Sequence, residues 1–103
     1  MPRWLPRILA RIHALAAARR VEITDKARRG IERLDLGLDR EDVCDLLGQL
    51  DAGEFSKRLA SDLTGEWMYV FKPALASVAL YVKLIVRADC VVVSFHEDEA
   101  GND

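Results

Sequence analysis

The sequence predicts an α+β domain, with N-terminal helices packed on one face of a small antiparallel sheet. Three observations predict it. Up to about residue 50, apolar residues recur at the 3.6-residue spacing of helices. After residue 65 the period drops to two, over 66–72, 77–87 and 90–96. The last two runs are separated only by Ala88-Asp89, a span that suits a hairpin reversal although it lacks the Asn-Gly signal. The 103 residues allow one domain, 1–103, with no room for a second core.

The first helix opens at Pro6, a residue suited to a first turn, and buries Ile8, Leu9, Ile12, Leu15 and Ala16. Its arginines fall mostly on other faces, and Arg19-Arg20 complement its C-terminal dipole. Val21-Glu22-Ile23 alternates briefly, as a short strand or an extended link. Thr24 caps a second helix over 25–34 that buries Ala27, Ile31 and Leu34. Gly37 stops the chain and Asp39 caps a third helix, about 40–50, which buries Val43, Leu46, Leu47 and Leu50. Asp51 and Glu54 have capping-box spacing, so a short helix is expected to run to about Arg58, with a loop over 59–65.

In the sheet half, Trp67, Tyr69 and Phe71 alternate along the first strand, which Pro73 ends. Along 77–87 the even positions, Val78 to Val86, are all apolar and the odd ones mostly polar. The helices are expected to cover Trp67, Tyr69, Phe71, those even positions, and Val91, Val93 and Phe95. The acidic stretch 97–103 is expected to fray.

Composition excludes several classes. Hydrophobic residues at 50% and charged residues at 31% argue against wholesale disorder. No apolar run approaches the ~20 residues of a membrane span. Two cysteines make no disulfide framework, and no CxxC or histidine cluster makes a zinc site, so no metal or other cofactor is expected. A reducing cytoplasm fits best, and the first residues lack the apolar core of a signal peptide. The net charge of −2 hides blocks of +6 over 1–34, −6 over 35–66, +2 over 67–95 and −4 over 96–103. An acidic chain does not bind nucleic acid by its net field, yet the basic N-terminal third can present a local positive surface.

The informative face of the sheet is the one turned away from the helices. If apolar positions of 77–87 and 90–96 are to face apolar ones, Tyr81 lies opposite His96, Lys83 opposite Ser94, Ile85 opposite Val92 and Arg87 opposite Cys90. A one-residue slip would put apolar positions opposite polar ones. Glu66, Met68 and Lys72 join the same face. A phenol, an imidazole, lysines and a hydroxyl then converge, which is a set able to transfer protons beside fixed positive charge. The plainer reading is a wet sheet face that is polar only because water touches it. Lys57-Arg58 reads as surface charge before it reads as a phosphate contact, and Cys44 and Cys90 read as small buried residues with no base to activate them. No P-loop, GxGxxG or HExxH pattern occurs.

Several residues in order carry a family likeness: Gly37-Leu38-Asp39, Cys44, Phe55-x-Lys57, Trp67, Lys72-Pro73, Val78-x-x-Tyr81-x-Lys83-x-x-Val86, and Val93-Ser94-Phe95 before His96-Glu97. Over about 35–97 the sequence resembles the MqsR family of bacterial type II toxins. Before that only the spacing of Leu9, Ile12, Leu15 and Val21 agrees. The resemblance implies a RelE-like fold and a metal-independent endoribonuclease acting on single-stranded mRNA, with a preference for GC-containing triplets. It implies active-site roles for Lys57, near the short helix, and for Tyr81. Two positions depart from the family: Met68 stands where it has a glutamine, and His96 where it has a lysine. Met68 cannot donate an N–H to a ribose or a base. An imidazole, unlike a lysine of ordinary pKa, both gives and takes protons near pH 7.

The expected chemistry is attack by a ribose 2′-OH on the adjacent phosphate. Tyr81 and His96 orient and transfer protons in an order left open, and Lys57, Arg58 and Lys83 supply charge. Met68 and Ser94 complete the RNA-contacting set. The resemblance also implies a cognate antitoxin protein. Its candidate docking places are the strand 66–72, as a sheet edge, and the basic first helix with Arg3, Arg7 and Arg11. Two alternatives stand beside this reading. Residues 25–50 could form a helix-turn-helix module, although Glu41, Asp42 and Asp45 would repel DNA, and Met68 leaves room for a toxin-like scaffold that has lost activity.

Overall fold

The structure, a computed structural model, describes residues 1–99. Helix α1 is Leu5–Ala17, with proline in its first turn, and buries Leu5, Leu9, Ile12, Leu15 and Ala16. Arg19 and Arg20 lie beyond its end, where the Arg19 guanidinium still donates to the Ala16 carbonyl (3.1 Å). Strand β1 (Val21–Ile23) follows, then α2 (Asp25–Leu34) and α3 (Arg40–Gly48). Both helices start as their caps dictate. Thr24 Oγ1 accepts from the Ala27 N–H, and Asp39 and Asp42 form a reciprocal capping box. Gly37 has φ +67°, the left-handed turn expected of it.

Residues 51–60 differ from the expected helix. The Asp51–Glu54 capping box is present, but it closes only a 3-10 turn, Ala52–Glu54. The chain then runs out as strand β2, Phe55–Ala60. Strand β3 is Trp67–Phe71, β4 the short Ala74–Leu75, β5 Val78–Val86 and β6 Cys90–Glu97. The main sheet has the order β1-β6-β5-β3-β2, with β4 paired separately to β5. It is mixed rather than purely antiparallel, because β1 runs parallel to β6. Its edges are β1 and β2. Strand β3, expected at an edge, is covered on both sides by β2 and β5.

Helices lie against one face, where Tyr69, Phe71, Leu80, Val82, Leu84, Cys90, Val92 and Phe95 join the helical residues in one core. Helix α2 packs on β6 and α3 on α1, so 25–50 does not form the paired unit of a helix-turn-helix. Trp67, expected under the helices, is 46% exposed at the sheet end. Glu97 closes β6, and Asp98 is buried, donates its N–H to the Ala79 carbonyl (2.8 Å) and pairs with Lys72 (3.4 Å). The rest of the expected tail, 100–103, lies outside the described residues.

Two β-bulges decide which side chains face away from the helices. On β2, Phe55 pairs with Phe71 but Lys57 pairs with Val70, so Ser56 is the extra residue. On β6, Val92 pairs with Leu84 but Ser94 pairs with Lys83, so Val93 is the extra residue. A bulge inverts the alternation of side chains along its strand. Phe55 points to the core, and the Ser56 bulge sends Lys57 to the other side. Cys90 and Val92 point to the core, and the Val93 bulge sends Ser94 and His96 to the other side while Phe95 takes the core. The expected pairing therefore holds from Leu80–Glu97 to Lys83–Ser94 and fails nearer the turn, where Ile85 meets Val91 and Val86 meets Cys90. Val91, expected in the core under the helices, is on the open face.

Candidate active site on the open sheet face

Four strands carry one cross-strand row on this face: Lys57 on β2, Val70 on β3, Lys83 on β5 and Ser94 on β6. The next row toward the free end of the hairpin pairs Tyr81 with His96. Their rings stack, with centroids 4.9 Å apart and planes 9° from parallel. Lys83 Nζ lies 5.9 Å from the Tyr81 ring centroid. On the other side of the lysine row, Leu59, Met68, Ile85 and Val91 form an apolar row. The face thus has a cationic and proton-transferring end and an apolar end.

The electrostatics follow from this placement. Partial burial pushes the Lys83 ammonium below its ordinary pKa, and the like charges of Lys26 and Lys57 push it the same way. Three cations share this region, an arrangement that an anion would relieve. His96 Nδ1 lies 2.8 Å from the Glu97 carbonyl oxygen. A carbonyl only accepts, so Nδ1 is the donor in this contact, and in the neutral ring Nε2 is then the nitrogen with the lone pair. Ser94 is 1% exposed, and its Oγ has no hydrogen-bond partner. It lies beneath the face rather than on its wet surface.

Arg58 is not brought to this site. It sits on the helix side of β2, with its guanidinium between two indoles, 4.3 Å from the Trp4 ring and 3.8 Å from the Trp67 ring. Trp4 in turn packs on Phe55 and Tyr69. Glu66 is also engaged elsewhere: Arg87 grips it with two hydrogen bonds (2.8 and 2.6 Å) and holds its carboxyl at about 2. Cys44 and Cys90 are fully buried, and burial pushes the Cys90 thiol up to about 12, which makes it a poor nucleophile. His13 Nε2 meets the Leu50 carbonyl (2.6 Å), a structural tie between α1 and the end of the third helix.

A family model described as "Motility quorum-sensing regulator, toxin of MqsA" matches residues 7–97. The chain belongs to the MqsR toxin family. It is 32% identical over 91 residues to the mRNA interferase toxin MqsR of Escherichia coli strain K12, a match that covers 86% of this chain and 90% of that protein. The family-model match over 7–97 includes most of the helical first third, where the sequence likeness was thin, and both bulged strands.

Two features of this MqsR-family site escape a reading of the sequence. Val91 joins Val70 and Ile85 on this face only because of the bulge at Val93, which no residue type announces. Lys26 approaches Lys83 only because α2 crosses β6, a long-range contact. The one local signal for it is the Thr24 cap, which fixes where α2 begins. Thr24 Oγ1 also donates to the Val93 carbonyl (3.1 Å), so the cap and the bulge hold each other.

Proposed function

We infer that this toxin-family endoribonuclease binds single-stranded mRNA across the open sheet face and cuts it there, with the RNA's own 2′-OH as nucleophile. The observation that carries the reading is the convergence of Lys57, Lys83, Tyr81 and His96 from three strands, two of them bulged, onto one face. Bulges that re-aim side chains are found next to active sites. Lys57 and Lys83 hold the scissile phosphate and neutralise the extra charge of the phosphorane. His96 Nε2 takes the 2′-OH proton, the O2′–P bond forms, the P–O5′ bond breaks, and the Tyr81 hydroxyl gives its proton to the leaving 5′-oxygen. The products carry a 2′,3′-cyclic phosphate and a 5′-hydroxyl. Among the described residues no three His, Cys, Asp or Glu side chains gather as a metal site. The proposed reaction accordingly routes each proton and charge through the side chains named.

On the apolar row the half-buried Leu59 and Met68, backed by the buried Ile85 and Val91, give unstacked bases a surface to lie on, as single-strand readers do. Met68 offers only thioether and apolar contact where the family glutamine would offer an N–H. Such an enzyme works where mRNA is, in the cytoplasm, and no described helix is long and apolar enough to cross a membrane. It needs a cognate antitoxin protein as partner. The unpaired edge of β2 and the exposed Arg3, Arg7 and Arg11 are the places such a partner can extend the sheet or bring acidic groups. Induced expression tests the reading. Growth should stop with the wild-type chain, resume with His96→Ala, and resume with the wild-type chain when the neighbouring open reading frame is co-expressed. Unimpaired growth under wild-type induction alone would leave the inactive-scaffold reading in its place.

A further inference from the structure

The Tyr81–His96 stack ends at the border of a second feature. A cleft of about 460 Å³ opens between α2 and the far ends of β5 and β6, lined by Lys26, Gly30, Arg33, Leu34, Val78 and His96. This volume falls within the ~300–1,000 Å³ of clefts that take small ligands. The α2 residues lie at i, i+4, i+7 and i+8, one stripe of the helix. Lys26 and Arg33 stand about 10.5 Å apart along that stripe, at ~1.5 Å rise per residue. Between them, Gly30 touches the strand backbone: a Cβ there would sit 2.1 Å from the Phe95 carbonyl oxygen. Close approach at Gly30 therefore sets both cations beside His96.

We propose that this cleft is a second nucleotide subsite, taking a residue of the single-stranded RNA beyond the trimer that spans the scissile phosphate on the open face, with its base on Leu34 and Val78 and phosphates of the strand on Lys26 and Arg33. The proposal rests on the open-face reading and extends the RNA path past His96. Charge and shape select this occupant. Two cations two turns apart on long, flexible side chains can reach phosphates of one strand, the floor between them is apolar, and His96 faces both the reacting region and the cleft. The carboxylates of Glu97 and Glu99 also border the cleft, which leaves phosphate contact to the α2 wall. Lys26 further links the two regions, since its charge reaches Lys83.

The test is fluorescence-anisotropy binding of fully 2′-O-methylated RNA, which cannot be cut, as a trimer and as a heptamer. Lys26→Ala/Arg33→Ala should weaken heptamer binding roughly tenfold and lower its salt slope by about 1.4, at ~0.7 per phosphate contact. Trimer binding should fall less than heptamer binding, because Lys57 and Lys83 hold the trimer on the open face and Lys26 acts there only through its charge. Arg28→Ala/Arg29→Ala removes two charges from α2 outside the cleft and should leave heptamer binding within about twofold. Equal losses in the two double variants would mean a general positive field and overturn the subsite, as would an unchanged heptamer affinity in Lys26→Ala/Arg33→Ala. A wild-type chain that cuts unmodified RNA while the cleft variant binds the heptamer normally refutes the cleft alone. A wild-type chain that cuts no RNA refutes the open-face reading and the cleft with it.

Discussion

His96 and Tyr81 meet ring to ring on a half-buried patch that supports none of the core, so their loss should act on rate rather than on folding. His96→Ala should cut the cleavage rate by roughly 10²–10⁴ with a melting temperature close to wild type. His96→Lys should keep part of the activity if the position does the work of the family's lysine. Normal cleavage by His96→Ala would place the chemistry elsewhere. Lys57 and Arg58, adjacent in sequence, should behave in opposite ways because the strand sends them to opposite faces. Lys57→Ala should lower the salt slope of RNA binding by about 0.7 with little effect on stability. Arg58→Ala loses its place between two indoles and should cost about 1 kcal/mol of stability, with the salt slope unchanged. Denaturant melts and salt titrations of the two variants check this together. Glu66 is a third residue with a definite expectation. Arg87 foremost, with a smaller hydrogen bond from Thr64, lowers its folded-state pKa to about 2 from an ordinary 4.5. A depressed carboxyl contributes stability in full above the ordinary value and loses it as pH falls through the folded value. An NMR titration should therefore find Glu66 still ionised at pH 3, and in Arg87→Gln it should titrate near its ordinary value.

At the scale of elements, the bulges and α2 carry the account. Thr24 caps α2 and holds the carbonyl of the Val93 bulge with the same hydroxyl. Thr24→Val should cost about 1 kcal/mol as a lost cap, and it should also lower cleavage, because the bulge that aims Ser94 and His96 loses its tie. Thr24→Ser should restore both. Gly30→Ala should cost ~1–3 kcal/mol, since its new methyl meets strand backbone rather than a side chain that can turn away. Thermal melts of the Thr24 and Gly30 variants beside their cleavage rates check both expectations. The helices were legible in the sequence because α1 has a proline in its first turn, α2 and α3 begin at capping residues, and all three repeat at 3.6. Tyr81 opposite His96 was legible because parity fixes register wherever one face is buried. The inner half of that hairpin was not, since one extra residue at Val93 shifts parity without any special residue to mark it. Strand β2 was hidden for a related reason. The Ser56 bulge interrupts the alternation of Phe55 and Lys57, and a capping box just before it suggested a helix.

Across the whole molecule, an acidic chain presents cations from separate segments on one side. Lys26 comes from the basic N-terminal third, Lys57 from the acidic block and Lys83 from the sheet half, and only the fold collects them. Net charge therefore says little about where RNA lies, while the face opposite the helices combines cations, a proton-transfer pair and an apolar floor. The chemistry of cleavage is the central claim, and the ends of the cut RNA report it most directly. End-group analysis of RNA cut by the purified chain in excess chelator should find 2′,3′-cyclic phosphate on one fragment and 5′-hydroxyl on the other. Fragments bearing 5′-phosphate, or cleavage that vanishes in chelator and returns with magnesium, would contradict it.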